Sequence, residues 1–125
     1  MKGIAALALY FILLTQATYA QQTHRFFHLT STEGLSHDHV NAIVKGSRGF
    51  IWIATDDGLN RYDGYQFNVY RHDRDDPKSI RDNLVFDIVE ENDQFWIGTG
   101  SGLDILDRLT DHFTHYSPPI VKLAV

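Results

Sequence analysis

Seven histidines in a chain of 125 residues raise the possibility of a metal site first. His37-x-His39 is the best candidate pair, because alternate residues of an extended strand project to the same side. No cysteine is available to join them, no third ligand is suitably spaced, and the second half of the chain places Asp82 and Leu84 at the corresponding positions. The pair is read as part of a loop, and neither a metal nor another cofactor is expected. Asp56 and Asp57 are adjacent carboxylates of the kind that could do acid/base work. Such pairs need a set separation across a substrate, whereas neighbours in a turn point apart. Gly100 and Ser101 replace them in the second half, so no catalytic residue is assigned.

The remaining candidates fare no better as chemistry. Asp73-Arg74-Asp75-Asp76 and Glu90-Glu91-Asn92-Asp93 gather oxygens that a hard cation would like, but lack the alternating ligands and glycine of a calcium loop. Gly98-Thr99-Gly100-Ser101-Gly102 looks like a phosphate cradle, yet it opens no helix and no lysine follows. Trp52, Trp96, Tyr62 and Tyr65 could stack on sugar rings. The two tryptophans lie in all-apolar stretches and are read as core, which leaves Tyr65, beside the Asp63-Gly64 turn, as the aromatic expected at the surface.

The elements that carry these residues come in two copies. One runs through Val40-Asn41-Ala42-Ile43-Val44, Phe50-Ile51-Trp52-Ile53-Ala54-Thr55, Gly58-Leu59-Asn60-Arg61-Tyr62-Asp63 and Phe67-Asn68-Val69-Tyr70. The other runs through Val85-Phe86-Asp87-Ile88-Val89, Phe95-Trp96-Ile97-Gly98-Thr99, Gly102-Leu103-Asp104-Ile105-Leu106-Asp107 and Phe113-Thr114-His115-Tyr116. Trp52 and Trp96 stand 44 positions apart, and the drift in spacing elsewhere is confined to turns. Each copy holds four short segments rich in β-branched and aromatic residues, separated by Gly, Asp and Asn, and so predicts a four-stranded antiparallel meander. A period in the mid-forties with four strands is that of a propeller blade. The paired positions Trp52/Trp96, Gly58/Gly102, Leu59/Leu103 and Asp63/Asp107 are read as structural positions of the repeat. Phe50 to Ala54 is apolar throughout, which a strand tolerates when both of its faces are covered.

A partial third copy opens the mature chain. Phe26-Phe27-His28-Leu29 holds the place of a fourth strand, and residues 34–40 line up with residues 79–85. An orphan outer strand followed by two blades is therefore expected, an all-β partial propeller. In a closed propeller such a strand completes the last blade and protects its edge.

Composition fits this class, with 43% hydrophobic and 13% aromatic residues. The net charge of -5 comes without a polybasic stripe, which argues against nucleic acid as a partner. Lys2, the apolar run from Ile4 to Leu14 and the small residues around Thr18-Tyr19-Ala20 read as an export signal. The run of about eleven residues is short of the roughly 20 needed to span a bilayer. A mature chain without cysteine must hold together by packing.

The strings Asn41 to Val44, Gly49 to Thr55, Gly58-Leu59-Asn60 and Tyr62-Asp63-Gly64, with Gly34-Leu35-Ser36 opening the blade, resemble the two-component regulator propeller repeat. The resemblance covers about residues 25–116. It implies a periplasmic propeller followed, in the longer protein, by a β-sandwich, a membrane helix and a histidine kinase core, with an oligosaccharide as ligand and a homodimeric, membrane-anchored parent. The expected organisation is a signal peptide over 1–20, an outer strand and blade-opening loop over 21–35, blades over 36–78 and 79–117, and a divergent tail over 118–125. Because Ser117-Pro118-Pro119 stands where a third blade should open, truncation is expected, and the chain alone should neither catalyse nor signal. Two alternatives stay open: a secreted propeller enzyme such as a glycosidase or lyase, and a free-standing lectin-like module assembled from two-blade units.

Overall fold

A computed structural model describes residues 2–14 and 24–119. The amino-terminal segment forms α1 (Lys2–Leu14), and the rest of the regular structure is β apart from one 3-10 turn, Ser31–Glu33. No helix among the described residues is long and apolar enough to cross a membrane. The small residues expected around a cleavage point, 18–20, lie outside the described residues.

Eight strands make two sheets. Blade 1 contains β1 (Val40–Lys45), β2 (Ile51–Thr55), β3 (Gly58–Tyr62) and β4 (Phe67–Tyr70) in that spatial order. Blade 2 repeats the order with β5 (Val85–Glu91), β6 (Gln94–Thr99), β7 (Gly102–Asp107) and β8 (His112–His115). All neighbours are antiparallel, and each first strand carries a register shift at the same place, between Val40 and Ala42 and between Val85 and Asp87. The repeat thus extends to the irregularity that bends the inner strand. These are two blades of a propeller that two blades alone do not close.

The core lies between the sheets. Trp52, Ala54 and Leu59 of blade 1 pack in one buried cluster with Ile88, Phe95, Ile97, Leu106 and Phe113 of blade 2, and Tyr70 lies against it. Alternation along each strand sends one set of side chains into this layer and the other set to the far face. The Trp52 and Phe95 ring centroids are 4.6 Å apart, and those of Tyr70 and Phe113 5.6 Å. Each such pair adds about 0.5–1.5 kcal/mol beyond its area burial.

The orphan outer strand differs from its expectation. Residues 24–30 carry no strand, and Phe26 and Phe27 are 89% and 79% exposed. A strand needs a hydrogen-bonding partner, and these residues pair with neither sheet. The chain takes a defined turn directly after them: Thr30 caps the 3-10 turn in a reciprocal box with Glu33, and Ser31 N–H donates to Asp38 Oδ1 at 2.7 Å. This turn delivers Leu35, buried, onto the far face of blade 1.

Candidate functional site

Three structured features repeat from blade to blade, and two of them contain the paired positions Gly58/Gly102 and Asp63/Asp107. The first is the β2–β3 turn. Thr55 Oγ1 donates to Gly58 O at 2.9 Å and accepts from Asp57 N–H at 3.1 Å; Thr99 does the same with Gly102 O at 2.7 Å and Ser101 N–H at 3.3 Å. The positive φ falls on the first residue of the following strand, 130° at Gly58 and 133° at Gly102. A Cβ at Gly58 would stand 2.9 Å from the carbonyl oxygen of Tyr70, so glycine is required there twice over. Gly58 N–H also donates to Asn83 O at 2.6 Å, tying blade 1 to the segment that opens blade 2.

The second feature is the latch under each blade-opening segment. Ser36 N–H donates to Asn60 Oδ1 at 2.9 Å, and the fully buried Asn60 amide donates to Ser36 Oγ at 2.7 Å and Ile53 O at 3.2 Å. In blade 2 the same place holds a carboxylate. Arg81 N–H donates to Asp104 Oδ2 at 2.7 Å, while Arg81 Nε at 3.3 Å and His115 Nδ1 at 2.8 Å both face Oδ1. Asp104 is fully buried, so these partners replace the water it has lost. The sequence reading assigned no role to Asn60 or Asp104. A buried polar residue at the third position of the third strand in both copies was the signal available.

The third feature caps the β3–β4 turn. Asp63 Oδ1 accepts from Gln66 and Tyr65 N–H groups, both at 2.8 Å, and those bonds hold its carboxyl below the usual range. Asp107 Oδ1 accepts from Leu109 N–H at 2.8 Å. Tyr65 itself stands 96% exposed at the turn.

The paired apolar positions separate. Trp52 is 3% exposed and Leu59 fully buried, whereas Trp96 and Leu103 are half-buried on the far face of blade 2, where the Trp96 ring meets only the edge of Tyr116, at 5.6 Å. The two faces differ because blade 2 covers Trp52, while among the described residues no sheet packs against the face that carries Trp96.

The acidic and histidine candidates disperse. Asp56 faces Asn41 Nδ2 at 2.9 Å and His39 Nδ1 at 2.9 Å, while Asp57 turns to Arg71 at 3.3 Å. The Asn41 bond first, then the His39 bond, hold Asp56 below the ordinary carboxylate range, the opposite of what a proton donor at neutral pH needs. His37 Nδ1 accepts from His39 N–H at 3.0 Å. No group of three or more His, Cys, Asp or Glu residues placed to hold a metal occurs among the described residues. Asp73 and Asp76 cap their own turns, accepting from Asp75 and Lys78 N–H groups, each at 2.9 Å.

Sequence reasoning did not foresee the arginine cross-links between blades. Arg61 Nη1 reaches Asp111 at 3.3 Å, and its guanidinium lies 5.3 Å from the Phe50 ring and 5.8 Å from the Trp52 ring. Arg108 pairs with Glu90, and both meet Ser47, whose hydroxyl donates to Glu90 Oε1 at 2.6 Å and accepts from Arg108 Nη1 at 3.1 Å. The Ser47 bonds, and then the Arg108 charge, keep the Glu90 carboxyl below its usual range. Burial pushes the neighbouring Tyr70 phenol up to about 12. These side chains tie the two blades together at the turns that meet between them.

Comparison with known proteins agrees with this geometry. Residues 34–57 match the Two component regulator propeller family. The chain is 32% identical over 78 residues to Histidine kinase P4 of Formosa agariphila, a stretch of 62% of this chain and 6% of that protein. Among solved structures it is similar to the extracellular domain of BT3049, assigned to a hybrid two component system of B. thetaiotaomicron. The identity is 30% and the TM-score 0.67, over 74% of this chain and 14% of that one. The corresponding domain of BT4673 gives 32% identity and a TM-score of 0.52, over 62% and 11%. Fold and repeat together define part of a β-propeller built from repeats like those of two-component regulators, similar to the extracellular domains of hybrid two component systems. The chain spans a small fraction of the length of the relatives it matches.

Proposed function

We propose that the chain supplies an outer strand and the first two blades of a larger propeller that binds an oligosaccharide and relays occupancy across the membrane to a kinase. In this reading residues 1–20 export the chain, residues 36–78 and 79–117 are its two blades, and Phe26 to Leu29 pair with the last blade of the ring. The parent is a membrane-anchored homodimer.

One observation carries the reading. The far face of blade 2 repeats four positions of the face of blade 1 that blade 2 covers: Val89, Trp96, Leu103 and Tyr116 stand for Val44, Trp52, Leu59 and Tyr70. Val89 is 54% exposed. A surface so similar to a covered one is suited to another sheet of the same repeat.

The test is to read the transcript beyond codon 125 and to titrate oligosaccharides into the extracellular region it encodes. Further blades with a kinase core, and saturable heat on titration, support the proposal. A glycosidase or lyase domain in place of a kinase core, or no binding by any glycan, contradicts it.

A further inference from the structure

The crevice between the blades on the side of the β1–β2 and β3–β4 turns has an unusual lining. Gly46, Arg48, Phe50, Trp52, Arg61 and Arg108 surround about 30 Å³ of space, enough for one or two water-sized groups. None of the five side chains among them is an acceptor. Three guanidinium groups and one indole N–H are donors only, set against aromatic walls. The carboxylates that pair with these arginines, Glu90, Asp93 and Asp111, lie outside the lining.

Arg108 makes the crevice more than a basic patch. Its side chain is only 5% exposed, stacked 5.2 Å over the Phe95 ring, and Nη1 is used by Glu90 and Ser47. Nη2 is buried without a hydrogen-bond partner, the one such side-chain atom among the described residues. A buried guanidinium nitrogen left bare costs free energy that an acceptor in the crevice would restore. Arg48, 44% exposed at the mouth, leaves a route from solvent. The cluster is specific to this interface, since Ile105 takes the place of Arg61 in blade 2 and the Asn92-Asp93 turn has no arginine.

We infer that this crevice is an anion subsite that takes the carboxylate head of a small organic acid, held by Arg108 with Arg61 and Arg48. A planar carboxylate matches the guanidinium fork and is small enough for the space. The site does not depend on the oligosaccharide reading above, because every residue it uses lies within these two blades.

The test follows the two indole N–H signals of the full chain, labelled with ¹⁵N and kept dilute, while acetate replaces chloride at constant ionic strength. Trp52 lines the crevice and Trp96 sits on the opposite face of blade 2, so each molecule carries its own control. The expected result is a saturable shift of the Trp52 signal with Trp96 unmoved, and no response to acetamide, the neutral isostere. Arg108→Lys should weaken binding roughly tenfold or more, since it keeps the charge and loses the fork. Arg48→Ala, at the exposed mouth and remote from the core, should weaken it severalfold with the fold intact. No saturable shift, an equal response to acetamide, or unchanged binding in both variants would overturn the inference.

Discussion

Strands β2 and β6 have nearly the same sequence, Ile51-Trp52-Ile53-Ala54-Thr55 against Phe95-Trp96-Ile97-Gly98-Thr99, and different fates. Every residue of β2 from Trp52 to Thr55 is buried, whereas β6 alternates between buried and half-buried. β2 has blade 2 on one side and the Leu35 segment on the other. Among the described residues, β6 has a neighbouring sheet on one side only. The burial of a propeller strand is a property of the interfaces around it, and the apolar sequence records how many interfaces it is made for.

The sharpest break of this comparison is to remove each tryptophan in turn. Trp52→Ala should cost about 3–5 kcal/mol in urea unfolding, as expected for a large aromatic lost from a packed core, while Trp96→Ala should cost about 1 kcal/mol or less. Equal losses would mean that both faces are already covered.

The latches sharpen it next. Asp104→Ala strands Arg81 and His115 around a buried site and should cost about 3 kcal/mol; Asn60→Ala in blade 1 removes neutral hydrogen bonds and should cost about 1–3 kcal/mol. Chemical denaturation of the two variants checks the order. Gly58→Ala should match Asn60→Ala, at about 1–3 kcal/mol, because the new Cβ meets a backbone carbonyl at positive φ. Gly102→Ala should be milder, since the nearest atom there is the flexible tip of Arg81.

The smallest effect is in pH. Hydrogen bonds lower the carboxyls of Asp56, Asp63, Asp82 and Glu90. Each folded pKa then lies below its unfolded value, so the stabilisation is fully present above the unfolded value of about 4 and is lost as pH falls through the folded one. Thermal melting should be level from neutral pH to about pH 5 and fall in more acid solution. Glu90→Gln, which removes the one carboxylate of the four that bridges the blades through Ser47, should flatten that fall.

Much of this was legible in the sequence. The period marked both sheets and the turns that join their strands, because each reflects a local pattern or a repeated one, whereas the capping bonds of Asp63 and Asp107 are seen only in the structure. The cross-links among Ser47, Glu90 and Arg108 and between Arg61 and Asp111 were not legible. They join residues up to 61 positions apart, and each occurs in one copy only, so neither local pattern nor repetition marks them. The lack of strand structure at Phe26 to Leu29 has the same origin: sequence records a strand's preference, but a partner must be present for the strand to form.

The most direct test of the central claim, that the far face of blade 2 is made to be covered, is gel filtration with light scattering on residues 21–125, beside a Val89→Lys, Trp96→Lys double variant. The account predicts that the unaltered chain is β-rich by circular dichroism and associates as concentration rises, and that the two lysines suppress the association without loss of β signal. A folded monomer at every concentration, indifferent to the substitutions, would show that the face needs no neighbour and would contradict the account.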